Sequence, residues 1–216
     1  MGRILTILFS FFTFLSAIEI QHTPIDFSKA RVELTKRYIK EHYGLDVDSI
    51  KIVPKIIVVH HTAIDDFYES FSRLSPAVLP TKRADIYDGS MLNVSAHFLI
   101  DRDGTIHQLM PPDYMARHVI GLNYNSIGIE NVGGESSKDN LTNEQLRANI
   151  ELIRELKRMF PSIEYLIGHY EYRCFEKSKL WLEKDNGYRT LKDDPSKRFM
   201  MELRKELREF QEASCD

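Results

Sequence analysis

Six side chains with acid–base or metal-binding chemistry stand where apolar segments of this chain stop. The run at 56–59 closes on His60 and His61, and the run at 165–168 closes on His169. Glu130 follows the stretch 126–129, and Asp193 and Asp194 stand just ahead of Pro195. Catalytic zinc centres combine three nitrogen, oxygen or sulfur donors and keep one position for water. Donors scattered this widely suit a catalytic centre better than a zinc-finger clip. Spacing alone does not decide the matter, because a histidine that ends a strand is often a packing residue. Strand alternation puts His60 and His61 on opposite faces, so one of the pair is a site candidate and the other is packed or capped. Alternation also puts Gly128 and Glu130 opposite Ile127 and Ile129. A carboxylate beside a glycine on an otherwise apolar strand invites a close partner, since burying it unpaired is costly. The bland alternative is a glutamate facing solvent on a half-exposed strand.

These residues need a scaffold. Residues 56–59 carry four β-branched side chains without a polar break, the pattern of a strand covered on both faces. Further strands are expected at 94–100, 105–109, 126–132 and 163–169. The turn sequence Asp101-Arg102-Asp103-Gly104 predicts a hairpin between the first two. Residues 18–25 read as an exposed lead-in. A helix is expected over 26–43, capped by Asp26 or Ser28 and ended by Gly44, with Phe27, Leu34 and Tyr38 on one side. Thr142 to Gln145 forms a capping box ahead of a helix over 143–160, with Leu146, Ile150, Ile153 and Phe160 on its buried side. Pro195 suits the first turn of a last helix carrying Phe199, Leu203, Leu207 and Phe210. The long segment 64–90 has room for a helix over 67–74. Strands and helices in this uneven order make an α/β protein, a mixed central β-sheet flanked by helices.

Composition sets the outer limits. The chain has 216 residues, 43% of them hydrophobic, and a net charge of −3. That is enough for a core, and nothing in the charge supports nucleic-acid binding. Cys174 and Cys215 are too few for a disulfide scaffold and are expected as unpaired thiols. Arg3, an apolar run over 4–15 and Ser16-Ala17 have the layout of a secretory signal over 1–17. The run is short for a spanning helix, which needs roughly 20 residues. A retained anchor is the alternative. Signal removal would leave no stable membrane span and would place the protein in the periplasm or cell envelope.

Several motifs then occur together: VVHHTA at 58–63, SAHFLIDRDGTIHQL at 95–109, ARHVIGLNYNSIGIE at 116–130, LTNEQLRAN at 141–149, LIGHYE at 166–171 and KDDP at 192–195. In this order the chain resembles zinc-dependent N-acetylmuramoyl-L-alanine amidases of the type 2 family, relatives of phage amidases and peptidoglycan recognition proteins. The resemblance covers roughly residues 52–200. It implies the type 2 amidase fold, with a catalytic domain over 51–216 behind an N-terminal helical extension over 18–50. It implies Zn2+ held by His60, His169 and Asp194, with His61 in support. It assigns Glu130 as the catalytic carboxylate, Lys192 as the cation that stabilises the transition state, and His118 as a substrate contact. The implied substrate is peptidoglycan or a muropeptide, cut between N-acetylmuramic acid and L-alanine.

The chain departs from the family in places. Ala96 stands where phage members carry tyrosine; with Glu130 it makes the bacterial combination. The 25 positions from His169 to Asp194 exceed the family's usual interval, so 172–190 reads as an insertion beside the site. Some relatives use cysteine as third ligand, which keeps Cys174 as a rival to Asp194; Asp193 is a lesser one. The aromatics Tyr172, Phe175, Trp181 and Tyr188 either stack on substrate or anchor the insertion. A muropeptide-binding module without activity and a secreted wall-degrading effector are the competing functions.

Overall fold

The computed structural model describes residues 18–80 and 90–215. The secretory-signal segment 1–17 lies outside them. Strands β1 (Ile20–His22), β2 (Ile56–His61), β3 (Phe98–Ile100), β4 (Ile106–Gln108), β5 (Ser126–Asn131) and β6 (Tyr165–Gly168) form one sheet in the order β1-β4-β3-β5-β2-β6. All neighbours are parallel except the expected hairpin β3–β4. Helices α1 (Lys29–Tyr38), α2 (Phe67–Leu74), α3 (Asn143–Met159) and α4 (Lys197–Glu206) complete the scaffold.

β2 is central because both of its faces are apolar. Ile57 and Val59 pack with Leu152, Ile153 and Phe199 from α3 and α4. Ile56 and Val58 pack with Val119, Leu122, Tyr172 and Phe175. Parallel pairing with β5 and β6 brings three strand ends to one edge, and open α/β sheets place their ligands outside such carboxyl ends.

Several local expectations need correction. The lead-in 18–25 contributes β1, which pairs with β4, and Ile25 is buried. The first helix is shorter than 26–43. It begins at Lys29, turns π-helical over Ile39–Tyr43 and stops at Gly44, whose φ of 64° is the left-handed value favouring glycine. α3 has its capping box, but its buried face is rotated from the expected stripe: Leu146 and Ile150 are only partly buried, while Gln145 and Asn149 face the sheet. The reason is polar. Gln145 donates to the carbonyls of Ile100 and Val132, and Asn149 donates to Asn131, whose own amide donates to the His60 carbonyl. Pro195 stands just outside α4. The cap is Ser196, whose Oγ accepts from the Phe199 N–H at 3.2 Å.

Two further corrections concern the insertion. Cys174 and Cys215 are bonded to each other, with their Cα atoms 4.5 Å apart. Distance along the chain hid this contact, because Gln211 returns to pair with Tyr165 at the end of the sheet. Tyr172 and Phe175 are core residues, 1% and 5% exposed, and so are closed to a sugar. Trp181 stands against Gly121, and the Tyr188 hydroxyl accepts from Arg117 at 2.8 Å. Glu183 meets His42 at 2.9 Å, which ties the insertion to the first helix. Tyr172 and Phe175 thus anchor the segment, whereas Trp181 and Tyr188 stay partly exposed. From the same first helix, buried Arg31 donates to the carbonyls of Leu74, Ser75 and Pro76, where a cation suits the C-terminus of α2.

Candidate active site

A cleft of about 290 Å³ opens over the ends of β2 and β5. His60, His118, Glu130, His169, Lys192 and Asp194 all line it, so every residue expected at the site reaches one cavity. His60 is the next-to-last residue of β2, Glu130 holds the same place on β5 in register beside it, and His169 is the first residue after β6. Asp194 arrives on the loop before α4.

Three donors converge. His60 Nδ1 and His169 Nδ1 are 2.9 Å apart, and Asp194 Oδ2 lies 3.3 Å from the first and 3.1 Å from the second. Donors about 2.0–2.1 Å from a tetrahedral zinc stand about 3.3–3.4 Å from one another, close to this triangle. The three ligand atoms lie within 4.8 Å of one another, and all three residues are buried. The donor set fits a divalent ion. The rivals have no place in this triangle: Cys174 is spent in its disulfide, and Asp193, on the cleft rim, is exposed and accepts from the Ser137 hydroxyl at 3.3 Å. His61 points to the other face of β2, its ring against Gly134, as alternation requires.

Sequence reading passed over several cleft residues. Ser70, Arg73 and Leu74 come from α2. The amphipathic segment 67–74 was visible, but its aim depends on Arg31, 43 residues from Leu74 in sequence. Ser126, the first residue of β5, shares the face of Gly128 and Glu130 and is buried behind the cleft lining.

Residues 50–196 match the N-acetylmuramoyl-L-alanine amidase family. The chain belongs to that family. It is 34% identical over 82 residues to an endolysin of Enterobacteria phage K11, which covers 36% of this chain and 54% of the relative. It thus spans about half the length of the curated relatives it matches. Among solved structures it is similar to the amidase LysC from Clostridium intestinale, with a TM-score of 0.54, 20% identity, and 89% of this chain and 99% of that one covered. An AmpD structure gives 0.50 at 20% identity, covering 86% and 95%. At such identity these two support the fold, a mixed sheet flanked by helices.

In this amidase-family site the electrostatics divide the two carboxylates. Burial, followed by the charge of Asp194, pushes Glu130 up to about 8. Its Oε2 is buried and has no hydrogen-bond partner among the described residues. Burial would also raise Asp194, but the neighbouring His169 first and His60 second outweigh it and hold this carboxyl well below its usual range. Burial, reinforced by His169, lowers His60 to about 4. Burial and the neighbouring His60 and His97 hold His118 well below the ordinary imidazole value. Burial therefore favours neutral His60 and His118, and Asp194 is held ionised, the states that suit metal ligands and their neighbours.

Proposed function

We propose that this chain hydrolyses the amide between the lactyl group of N-acetylmuramic acid and L-alanine in peptidoglycan or muropeptides. Zn2+ would be held by His60, His169 and Asp194. The observation that carries the reading is the convergence of these three donors in one cleft with Glu130 and Lys192. A zinc ion supplies Lewis acidity there, polarising a carbonyl and lowering the pKa of water toward roughly 7. Glu130 takes the proton of the attacking water on a carboxylate oxygen and passes it to the leaving amine nitrogen of L-alanine. Its high proton affinity suits both transfers. Lys192, half-buried at the cleft wall, would stabilise the oxygen that gains charge, where low dielectric strengthens the attraction. The walls from α2 and the 191–194 loop orient the stem peptide.

Action in the periplasm or cell envelope follows if residues 1–17 serve as a secretory signal. The Cys174–Cys215 bond supports this, because disulfides persist in oxidising compartments. No described helix is long and apolar enough to cross a membrane.

The test is metal analysis of purified protein followed by mass spectrometry of digested sacculi. One zinc per chain and stem peptides with a free L-alanine amine are expected. A zinc-loaded protein that binds sacculi but releases no such peptide would instead be a recognition module.

A further inference from the structure

Behind the reacting groups runs a line of hydrogen bonds whose direction is fixed at its far end. Ser126 Oγ lies 2.8 Å from the carbonyl oxygen of Leu122 and 3.2 Å from His118 Nε2. A carbonyl only accepts, so the hydroxyl hydrogen is committed to Leu122. Ser126 Oγ must then accept from His118, which puts a hydrogen on Nε2. His118 Nδ1 lies 3.0 Å from His60 Nε2. A neutral imidazole with hydrogen on Nε2 carries its lone pair on Nδ1, so it accepts from His60 Nε2. His60 Nδ1 is thereby left bare, and it is this atom that faces His169 and Asp194. Reversing any link would put a hydrogen where the three donors converge.

The surroundings hold His118 in this pose. A Cβ on Gly128 would stand 2.6 Å from His118 Cγ, so the glycine is the floor on which the ring lies. This answers the pairing of glycine with glutamate in the sequence: successive residues on one face of β5 brace His118, seat it and reach the cleft. His97 closes the far side, with ring centroids 5.8 Å apart. Its own orientation is fixed by donating to the Tyr114 carbonyl and accepting from the Gly128 N–H. Both nitrogens of His118 have partners inside the protein, while its ring lines the cleft.

We propose that His118 and Ser126 are positioning residues that lock His60 in the tautomer presenting Nδ1 to the metal. Ligating histidines usually pass their second N–H to a carboxylate or carbonyl. Here a second histidine and a serine carry that bond to the Leu122 carbonyl. The inference rests on the metal-site reading above, and its tests separate the two.

Nitrogen-15 NMR of the imidazoles in metal-free wild-type protein reads the tautomers directly. Hydrogen on Nε2 of both His60 and His118 is expected; hydrogen on Nδ1 of His60 overturns the proposal. Zinc affinity of variants reads the consequence. Ser126→Ala and His118→Phe are expected to bind zinc about 10–100-fold more weakly. His118→Asn, whose Oδ1 can stand in for Nδ1 as acceptor, is expected to recover most of the loss. Wild-type affinity in both weakened variants overturns the proposal. If His118→Phe fails to fold, Ser126→Ala, which deletes a single hydroxyl, decides. Wild-type protein that binds no zinc would sink the metal reading, while the NMR result still judges the hydrogen-bond line.

Discussion

The active-site cleft is assembled from two unlike halves. His60 and Glu130 belong to adjacent parallel strands, and the His60–Glu130 register pair makes their separation a consequence of backbone hydrogen bonding. Asp194 and Lys192 belong to a loop with no ladder to hold it. That loop is tied down at a distance: Asp139 accepts from Ser196 and Arg198, and the Tyr172 hydroxyl bonds the carbonyl of Thr190 at 2.6 Å. His169 stands between the two, at the end of β6 but on the 3-10 turn His169–Phe175, which carries Cys174. Pairing sets the strand half, whereas the loop half depends on cross-links between remote segments. Loss of the Glu130 carboxylate should therefore alter chemistry with metal retained, whereas loss of Asp194 from the loop should alter metal binding.

The largest effect is expected at the loop half. Asp194→Ala removes one of three donors. Zinc affinity should fall by more than the roughly 10–100-fold typical of losing a ligand's own partner, taking activity with it. Equilibrium dialysis against a zinc chelator measures this. Unchanged affinity would move the metal away from Asp194. In the strand half, Glu130→Gln should keep zinc yet lose on the order of 10²–10⁴ in kcat. Single-turnover kinetics on a muropeptide, with metal content determined on the same sample, checks both halves of that statement. Wild-type kcat would reject Glu130 as the base.

The same division explains what could be read from the sequence. Residues 56–61 read as a strand that ends in two histidines on opposite faces, and 126–130 as a strand that carries Glu130, but only the resemblance of the VVHHTA and SIGIE motifs assigns His60 and Glu130 to the site. The hairpin at 101–104 and the capping box at 142–145 are also local signals. Asp194 was chosen through the KDDP motif alone, since nothing in its neighbourhood reveals that Asp139 and Ser196 will fix it. The Cys174–Cys215 bond depends on how the chain end returns to β6. The rotated face of α3 was missed because an apolar stripe was assumed, whereas Gln145 and Asn149 are buried for their hydrogen bonds.

Reducing the disulfide is the next smaller perturbation. It releases the turn bearing His169 from the chain end without touching β2 or β5. A Cys174→Ser, Cys215→Ser double variant should lose about 2–4 kcal/mol in urea unfolding. Below the unfolding transition its Glu130-dependent kcat should stay near wild type, because the strand register is intact. A chemical step slowed as much as in Glu130→Gln would mean that the two halves are not separable.

The smallest expected effect is a slope, and it has opposite signs in the two carboxylates. In the metal-free protein Glu130 holds its proton up to about pH 8, against an ordinary value of 4.5. Between these limits the folded state keeps a proton that the unfolded chain has released, so stability falls as pH rises through the window. Asp194 is held well below its ordinary value of 3.8. Its contribution is present above that value and fades only as pH falls below it. Glu130→Gln should therefore gain on wild type in chelator-treated urea unfolding between pH 5 and pH 8, with the gap widening toward pH 8. Asp194→Asn should lose at both pH values, with no comparable growth of the gap. A Glu130→Gln gap that is flat with pH would show that the strand-end carboxylate is solvated in the folded protein, and its role as a base with raised proton affinity would fail with it.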